Sequence, residues 1–182
     1  MVQVTGTHSA FAALKSDGSL ITWGDLECGG DSSTVREALV GGVQQVASTE
    51  SAFAAVKAGG SVITWGNAGT GGDSTAVRES LLRDVRKVTC TSRAFAAVKH
   101  QGSVITWGDP ARGALADSSN VHQALSSDVH DVAGTERAFA AAKGDGSIVT
   151  WGIGSWGGDS STVCQQFGDP VPRGHQHKRR RR

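Results

Sequence analysis

One motif recurs four times along this chain at nearly constant spacing. Ala10-Phe11-Ala12-Ala13 returns as Ala52-Phe53-Ala54-Ala55, Ala94-Phe95-Ala96-Ala97 and Ala138-Phe139-Ala140-Ala141. A Thr-Trp-Gly follows each copy, and Trp23, Trp65, Trp107 and Trp151 stand 42, 42 and 44 residues apart. A period of this length marks a repeat architecture. One supersecondary unit cannot bury its own apolar faces and must stack on the next.

Each unit has four parts. A Val-x-x-Val comes first, at Val43/Val46, Val85/Val88 and Val129/Val132, with only Val4 in the first copy. The Ala-Phe-Ala-Ala-x-Lys run follows, then a turn with Ser-x-x-Thr-Trp-Gly, then a Gly-rich loop. Asp17-Gly18, Gly59-Gly60, Gln101-Gly102 and Asp145-Gly146 lie between the two apolar runs. Gly there supplies the positive φ of a tight hairpin, so these two parts predict antiparallel strands. Ile21 and Trp23 face one way, Leu20 and Thr22 the other, and both faces are mostly apolar. Such a strand belongs between stacked sheets. Val-x-x-Val predicts a third strand, although its spacing is not that of an alternating strand.

Asp31, Asp73, Asp117 and Asp159 precede the last segment, where an N-cap would sit. Val35/Leu39, Val77/Leu81, Val121/Leu125 and Val163/Phe167 then repeat at i, i+4, predicting a short helix packed on the blade. The expected fold is mainly β: four blade-like repeats of three strands plus a short helix, at about 1–42, 43–84, 85–128 and 129–167. The Pro- and Gly-containing basic tail, 168–182, is expected to be disordered. Phe11, Trp23, Phe53, Trp65, Phe95, Trp107, Phe139 and Trp151 are the expected core.

Ala54 to Gly66, Ala-Ala-Val-Lys-x-Gly-Gly-Ser-Val-Ile-Thr-Trp-Gly, resembles the repeat of the regulator of chromosome condensation family. The resemblance covers roughly residues 2–167. It implies blades of a seven-bladed β-propeller that works mostly through protein–protein contacts. There are departures from the family pattern. Family repeats are longer, with a His-Thr pair where this chain has Ser9-Ala10, Ser51-Ala52, Arg93-Ala94 and Arg137-Ala138. The family's Gly-Gln-Leu-Gly is replaced by Gly29-Gly30-Asp31 and its copies. The short unit is closer to bacterial β-lactamase-inhibitor propellers. Seven units would need about 294 residues, so four units imply a partial or open propeller, a fragment of a larger product, or an arc completed by self-association. A closed four-bladed ring or a solenoid-like stack also satisfies the pattern.

Charge narrows the function. Residues 173–182 carry six of the 18 Lys and Arg, leaving twelve basic against 17 acidic residues in the body. An acidic body argues against nucleic acid as a partner except through the tail, whose Lys178–Arg182 run points to a nuclear address. Cys28, Cys90 and Cys164 form no Cys-x-x-Cys pair and fit a reducing, intracellular setting, cytoplasmic or nuclear. No apolar run approaches membrane-spanning length. His8, His100, His122 and His130 show no metal spacing, and neither paired carboxylates nor Gly-x-Ser-x-Gly occurs. No cofactor and no enzymatic activity are expected.

The loops that differ between copies are the candidate binding surface, since repeat proteins place specificity on variable loops of a fixed scaffold. The residues concerned are His8, Glu50, Arg93 and Arg137 before Ala-Phe, with Asn67, Arg112 and Trp156 after Trp-Gly. Trp156 either anchors a partner or covers the open edge of the last blade. Lys15, Lys57, Lys99 and Lys143 form a row that could meet an acidic partner but more often would snorkel to water. The leading expectation is a protein-interaction scaffold. Guanine-nucleotide exchange on a small GTPase and enzyme inhibition are the alternatives.

Overall fold

A computed structural model describes residues 3–109 and 121–163 of the chain. They form four three-stranded antiparallel sheets, each a simple meander. The first blade is β1 (Gln3–Gly6), β2 (Ala10–Leu14) and β3 (Leu20–Gly24). The second is β4 (Val43–Ser48), β5 (Ala52–Lys57) and β6 (Val62–Gly66). The third is β7 (Val85–Cys90), β8 (Ala94–Lys99) and β9 (Val104–Gly108). The fourth is β10 (Val129–Gly134), β11 (Ala138–Lys143) and β12 (Ile148–Gly152).

The three-residue Val spacing is explained by a β-bulge. Val43 pairs with Lys57, but Gln45 pairs with Val56, so Gln44 is the extra residue. A bulge shifts the facing by one position, and Val43 and Val46 then look the same way. The third and fourth blades repeat it between Val85 and Lys87 and between Val129 and Asp131. In each hairpin the turn glycine is left-handed: Gly18, Gly60, Gly102 and Gly146 have φ of 78°, 75°, 81° and 87°.

The segment after the Gly-rich loop is a 3-10 helix in the first two units, Ser33–Leu39 and Thr75–Leu81. Its start differs from the expected N-cap. Asp31 lies one residue too early and accepts a hydrogen bond from Ser33 N–H at 2.8 Å, while Ser32 occupies the cap position without a side-chain capping bond. Asp73 repeats this with Thr75. Side-chain bonds tie each segment to the outermost strand, Thr22 to Ser32 at 2.8 Å and Thr64 to Ser74 at 2.9 Å. Phe167, expected to end the stripe in the fourth unit, lies outside the described residues.

Every junction between blades has the same construction. Ala10, Ala12, Leu14 and Leu20 of the first blade meet Val46, Phe53, Ala55 and Trp65 of the second, under Leu39. Ala52, Ala54, Val56 and Val62 meet Val88, Phe95, Ala97 and Trp107, under Leu81. Ala94, Ala96, Val98 and Val104 meet Val132, Phe139, Ala141 and Trp151, under Leu125. A blade therefore has a small-residue face and an aromatic face, and small meets aromatic each time. Phe and Trp face each other across the hairpin, stacked with ring centroids 5.2 Å apart in the last three blades.

The first strands lie innermost and touch across junctions. Gln45 clamps Val88, donating to its carbonyl at 2.7 Å and accepting from its N–H at 3.0 Å. Lys87 reaches Asp131 at 2.6 Å. Among the described residues no such cluster or clamp joins the fourth blade to the first. The fold is thus an open arc and not a closed four-bladed ring. Phe11 and Trp23, expected in the core, are 47% and 46% exposed, because among the described residues no blade covers the aromatic face of the first.

The turn carboxylates predict an acid response. Asp17, Asp73 and Asp145 are held below the ordinary carboxylate range chiefly by a hydroxyl two residues on, and Asp31 and Asp159 chiefly by the backbone N–H there. A lowered folded-state pKa contributes stability that is present above the unfolded value and lost as pH falls through the folded one. The thermal midpoint is expected to hold from about pH 7 to 5 and to fall below about pH 4. A midpoint that rises on acidification would contradict these assignments.

Candidate interaction rim

In every blade the second strand begins where the third ends; Ala10 pairs with Gly24 and Ala52 with Gly66. The loops before Ala-Phe and those after Trp-Gly therefore share one rim. Backbone bonds join them: Asp25 N–H to Ser9, Asn67 to Ser51, Asp109 to Arg93 and Ile153 to Arg137, all 2.9–3.0 Å. Thr7, Thr49 and Thr135 add a hydroxyl bond to the carbonyls of Cys28, Thr70 and Trp156. The loops before Ala-Phe also bond from blade to blade. His8 N–H donates to Glu50 at 2.9 Å, Glu50 to Ser92 at 2.8 Å and Ser92 to Glu136 at 3.0 Å. The rim is a fixed frame on which side chains differ.

The candidate residues differ in what they do on this frame. Arg93 Nε lies 3.2 Å from Glu50 and 3.1 Å from Asp109, bridging the second and third blades. Arg137 pairs with Glu136 at 3.2 Å and lies with its guanidinium 4.7 Å from the centre of the Trp156 ring. Trp156 ends the 3-10 turn Gly154–Trp156 and is 40% exposed. His8 is exposed at the end of the loop ladder. Asn67 has a local task, since its Oδ1 accepts from Gly69 N–H at 2.9 Å and caps the turn Ala68–Thr70. Arg112 lies outside the described residues.

Asp109 and Glu136 stand in the variable loops, though not among the individual candidates His8, Glu50, Arg93, Arg137, Asn67, Arg112 and Trp156. The signal for Asp109 was its place directly after Trp107-Gly108, where Asp25 and Asn67 stand in other copies. Its pairing with Arg93 needed the fold.

The lysine row points to the opposite rim and is engaged there. Lys57 donates to the carbonyls of Ala38 and Gly41, Lys99 to Ser80 at 3.0 Å, and Lys143 to Ala124 at 2.9 Å. Each latches the outer segment of one unit to the next blade by meeting its last carbonyls. Lys15 instead pairs with Asp17 at 3.1 Å. Burial pushes the Cys90 thiol up, away from thiolate chemistry. Among the described residues no cluster of three or more His, Cys, Asp or Glu is placed to hold a metal ion. No described helix is long and apolar enough to cross a membrane.

No protein-family model matches the chain, and no curated protein matches it. Solved structures do. The chain is similar to Prp20p from Saccharomyces cerevisiae at 18% identity and TM-score 0.55, covering 82% of this chain and 43% of that one. Human WBSCR16 matches at 19% and 0.55, over 84% of this chain and 48% of its own. The CRINKLY WD40 ectodomain of the Arabidopsis thaliana receptor kinase ACR4 matches at 17% and 0.52, over 84% and 51%. Identities this low establish the fold alone. The chain spans about half the length of these structures or less. The fold they support is a β-propeller, here an open arc of four blades among the described residues.

Proposed function

We propose that residues 1–167 act as a non-enzymatic protein-interaction scaffold whose partner binds the rim of loops described above. The observation that carries this reading is the contrast between frame and side chains. The backbone bonds of the rim repeat from blade to blade, while the residues they display change from His8 to Glu50, Arg93 and Arg137. Mixed charge around an exposed aromatic suits a protein partner better than a polyanion. The similar structures support a protein partner: Prp20p was studied for its binding to Gsp1p and histones, and yeast RCC1 was solved with Kap60 bound. A small GTPase or an inhibited enzyme would be a particular case of the same recognition. The setting is taken as cytoplasmic or nuclear, in keeping with thiols that form no Cys-x-x-Cys pair.

Trp156→Ala is the direct test. An aromatic anchor typically carries 2 kcal/mol or more, so capture of the partner should weaken by about tenfold or more. The thermal midpoint should hardly move, because the ring is partly exposed. Undiminished capture by both Trp156→Ala and His8→Ala would overturn the rim reading.

A further inference from the structure

The two ends of the arc are unlike each other. The first blade ends in an uncovered aromatic face, with Val4 55%, Phe11 47%, Ile21 54% and Trp23 46% exposed. The fourth ends in a small-residue face of Ala138, Ala140, Ala142 and Ile148, the last three partly exposed. We infer that the aromatic face of one copy docks on the small-residue face of a second copy, so that two chains close head to tail into one eight-bladed ring.

The three junctions inside the chain specify this occupant. At each of them the aromatic face is covered by the alanine-bearing face of a blade of this same sequence. The polar contacts are left half-made in matching places. Trp65 Nε1 donates to the Gly29 carbonyl at 3.0 Å, and Trp107 Nε1 to Gly71 at 3.1 Å. These glycines have φ of 89° and 101°, and Gly157, at the same place in the fourth unit, has 98°. Among the described residues its carbonyl meets no indole, and Trp23 meets no glycine loop. The loop ladder ends in the same way: among the described residues no neighbouring loop meets the Glu136 N–H or the His8 carbonyl. A second copy supplies every one of these partners, in the ladder geometry already used three times and the indole geometry already used twice.

A contact between unlike faces is heterologous. It forms a ring when the rotation closes and an open filament when it does not. Two chains give eight blades, within the four to eight typical of propeller rings. The surface concerned is the sort of apolar patch that a monomer seldom leaves bare. This inference is independent of the rim reading, which concerns the edge of the blades and not their faces.

The experiment is light scattering on the full chain over a hundredfold range of concentration, with circular dichroism to confirm folding. The wild type is expected at twice the monomer mass, with no larger species appearing at high concentration. Ala140→Arg and Ile21→Glu should each be folded monomers, and mixing them should restore a two-chain species through the one junction still intact. Ala142→Val restores the residue that Val56 and Val98 provide at two of the inner junctions, and should lower the dissociation concentration. A wild-type chain that is monomeric throughout overturns the inference and points to its own tail or another protein on these faces. A dimer that survives Ala140→Arg overturns the head-to-tail arrangement. A mass that keeps growing with concentration overturns ring closure.

Discussion

Phe95→Ala is expected to destabilise the chain by about 3–5 kcal/mol, enough to unfold most of the repeat array. Phe95 is fully buried and stacks on Trp107. Its ring edge is pressed against the backbone of the preceding unit; a Cβ on Gly71 would meet Phe95 Cδ2 at 2.6 Å. The other walls are alanines of the second blade, such as Ala52 and Ala54, which have no side chain to swing into a void. Removing the ring loses its transfer energy and leaves a cavity that cannot collapse. Neighbouring blades lose their junction as well, since repeats stabilise each other through interfaces. The internal control is Phe11→Ala at a concentration where the chain is monomeric. The same residue in the same strand is then half-exposed and should cost about 1 kcal/mol or less. Urea unfolding followed by circular dichroism separates the two, and equal losses would contradict the stacking order.

Gly66→Ala is the second large effect, at about 3 kcal/mol or more. Its φ is 98°, and a Cβ there would lie 2.7 Å from the Ser51 carbonyl and 2.9 Å from Ala52 Cα. A left-handed backbone costs an alanine about 1–2 kcal/mol, and the overpacking about 1–3 more. The obstructing atoms are backbone, so no rotamer change relieves them. Gly59→Ala is the matched control. Nothing lies within 4 Å of the added carbon and its φ is not positive, so the change should stay within about 0.5 kcal/mol. A Gly66→Ala chain as stable as Gly59→Ala would show that the Trp-Gly glycine is not there for close approach.

These two positions also show what could be read from sequence. The Ala-Phe-Ala-Ala and Thr-Trp-Gly strings announce a hairpin because alternation and turn glycines are local properties. The period announces stacking because no unit can cover both its faces. The bulge after Val43 was hidden, since one unpaired residue leaves no composition signal and shows only as a Val spacing of three. The exposure of Phe11 and Trp23 was hidden as well. Their letters equal those of Phe53 and Trp65, and only the order of blades distinguishes them. On the rim, the variable columns were legible but their pairings were not. Glu50 and Arg93 are 43 residues apart, and only the stacking of the second blade on the third brings them to 3.2 Å. Asn67 stood in a variable column for a local reason, as a turn cap. The lysine row was regular because Lys57, Lys99 and Lys143 each serve equivalent carbonyls, a contact between neighbouring units that no single repeat displays.

The claim that the loop rim is the binding surface is tested most directly by hydrogen–deuterium exchange of the chain alone and bound to its captured partner. The account predicts slowed exchange on binding at 7–9, 25–28, 49–51, 67–70, 91–93, 135–137 and 153–156, the described segments that form one rim of the arc. Slowing confined to the hairpin loops at 16–19, 58–61, 101–103 and 144–147 would place the partner on the opposite rim and contradict it.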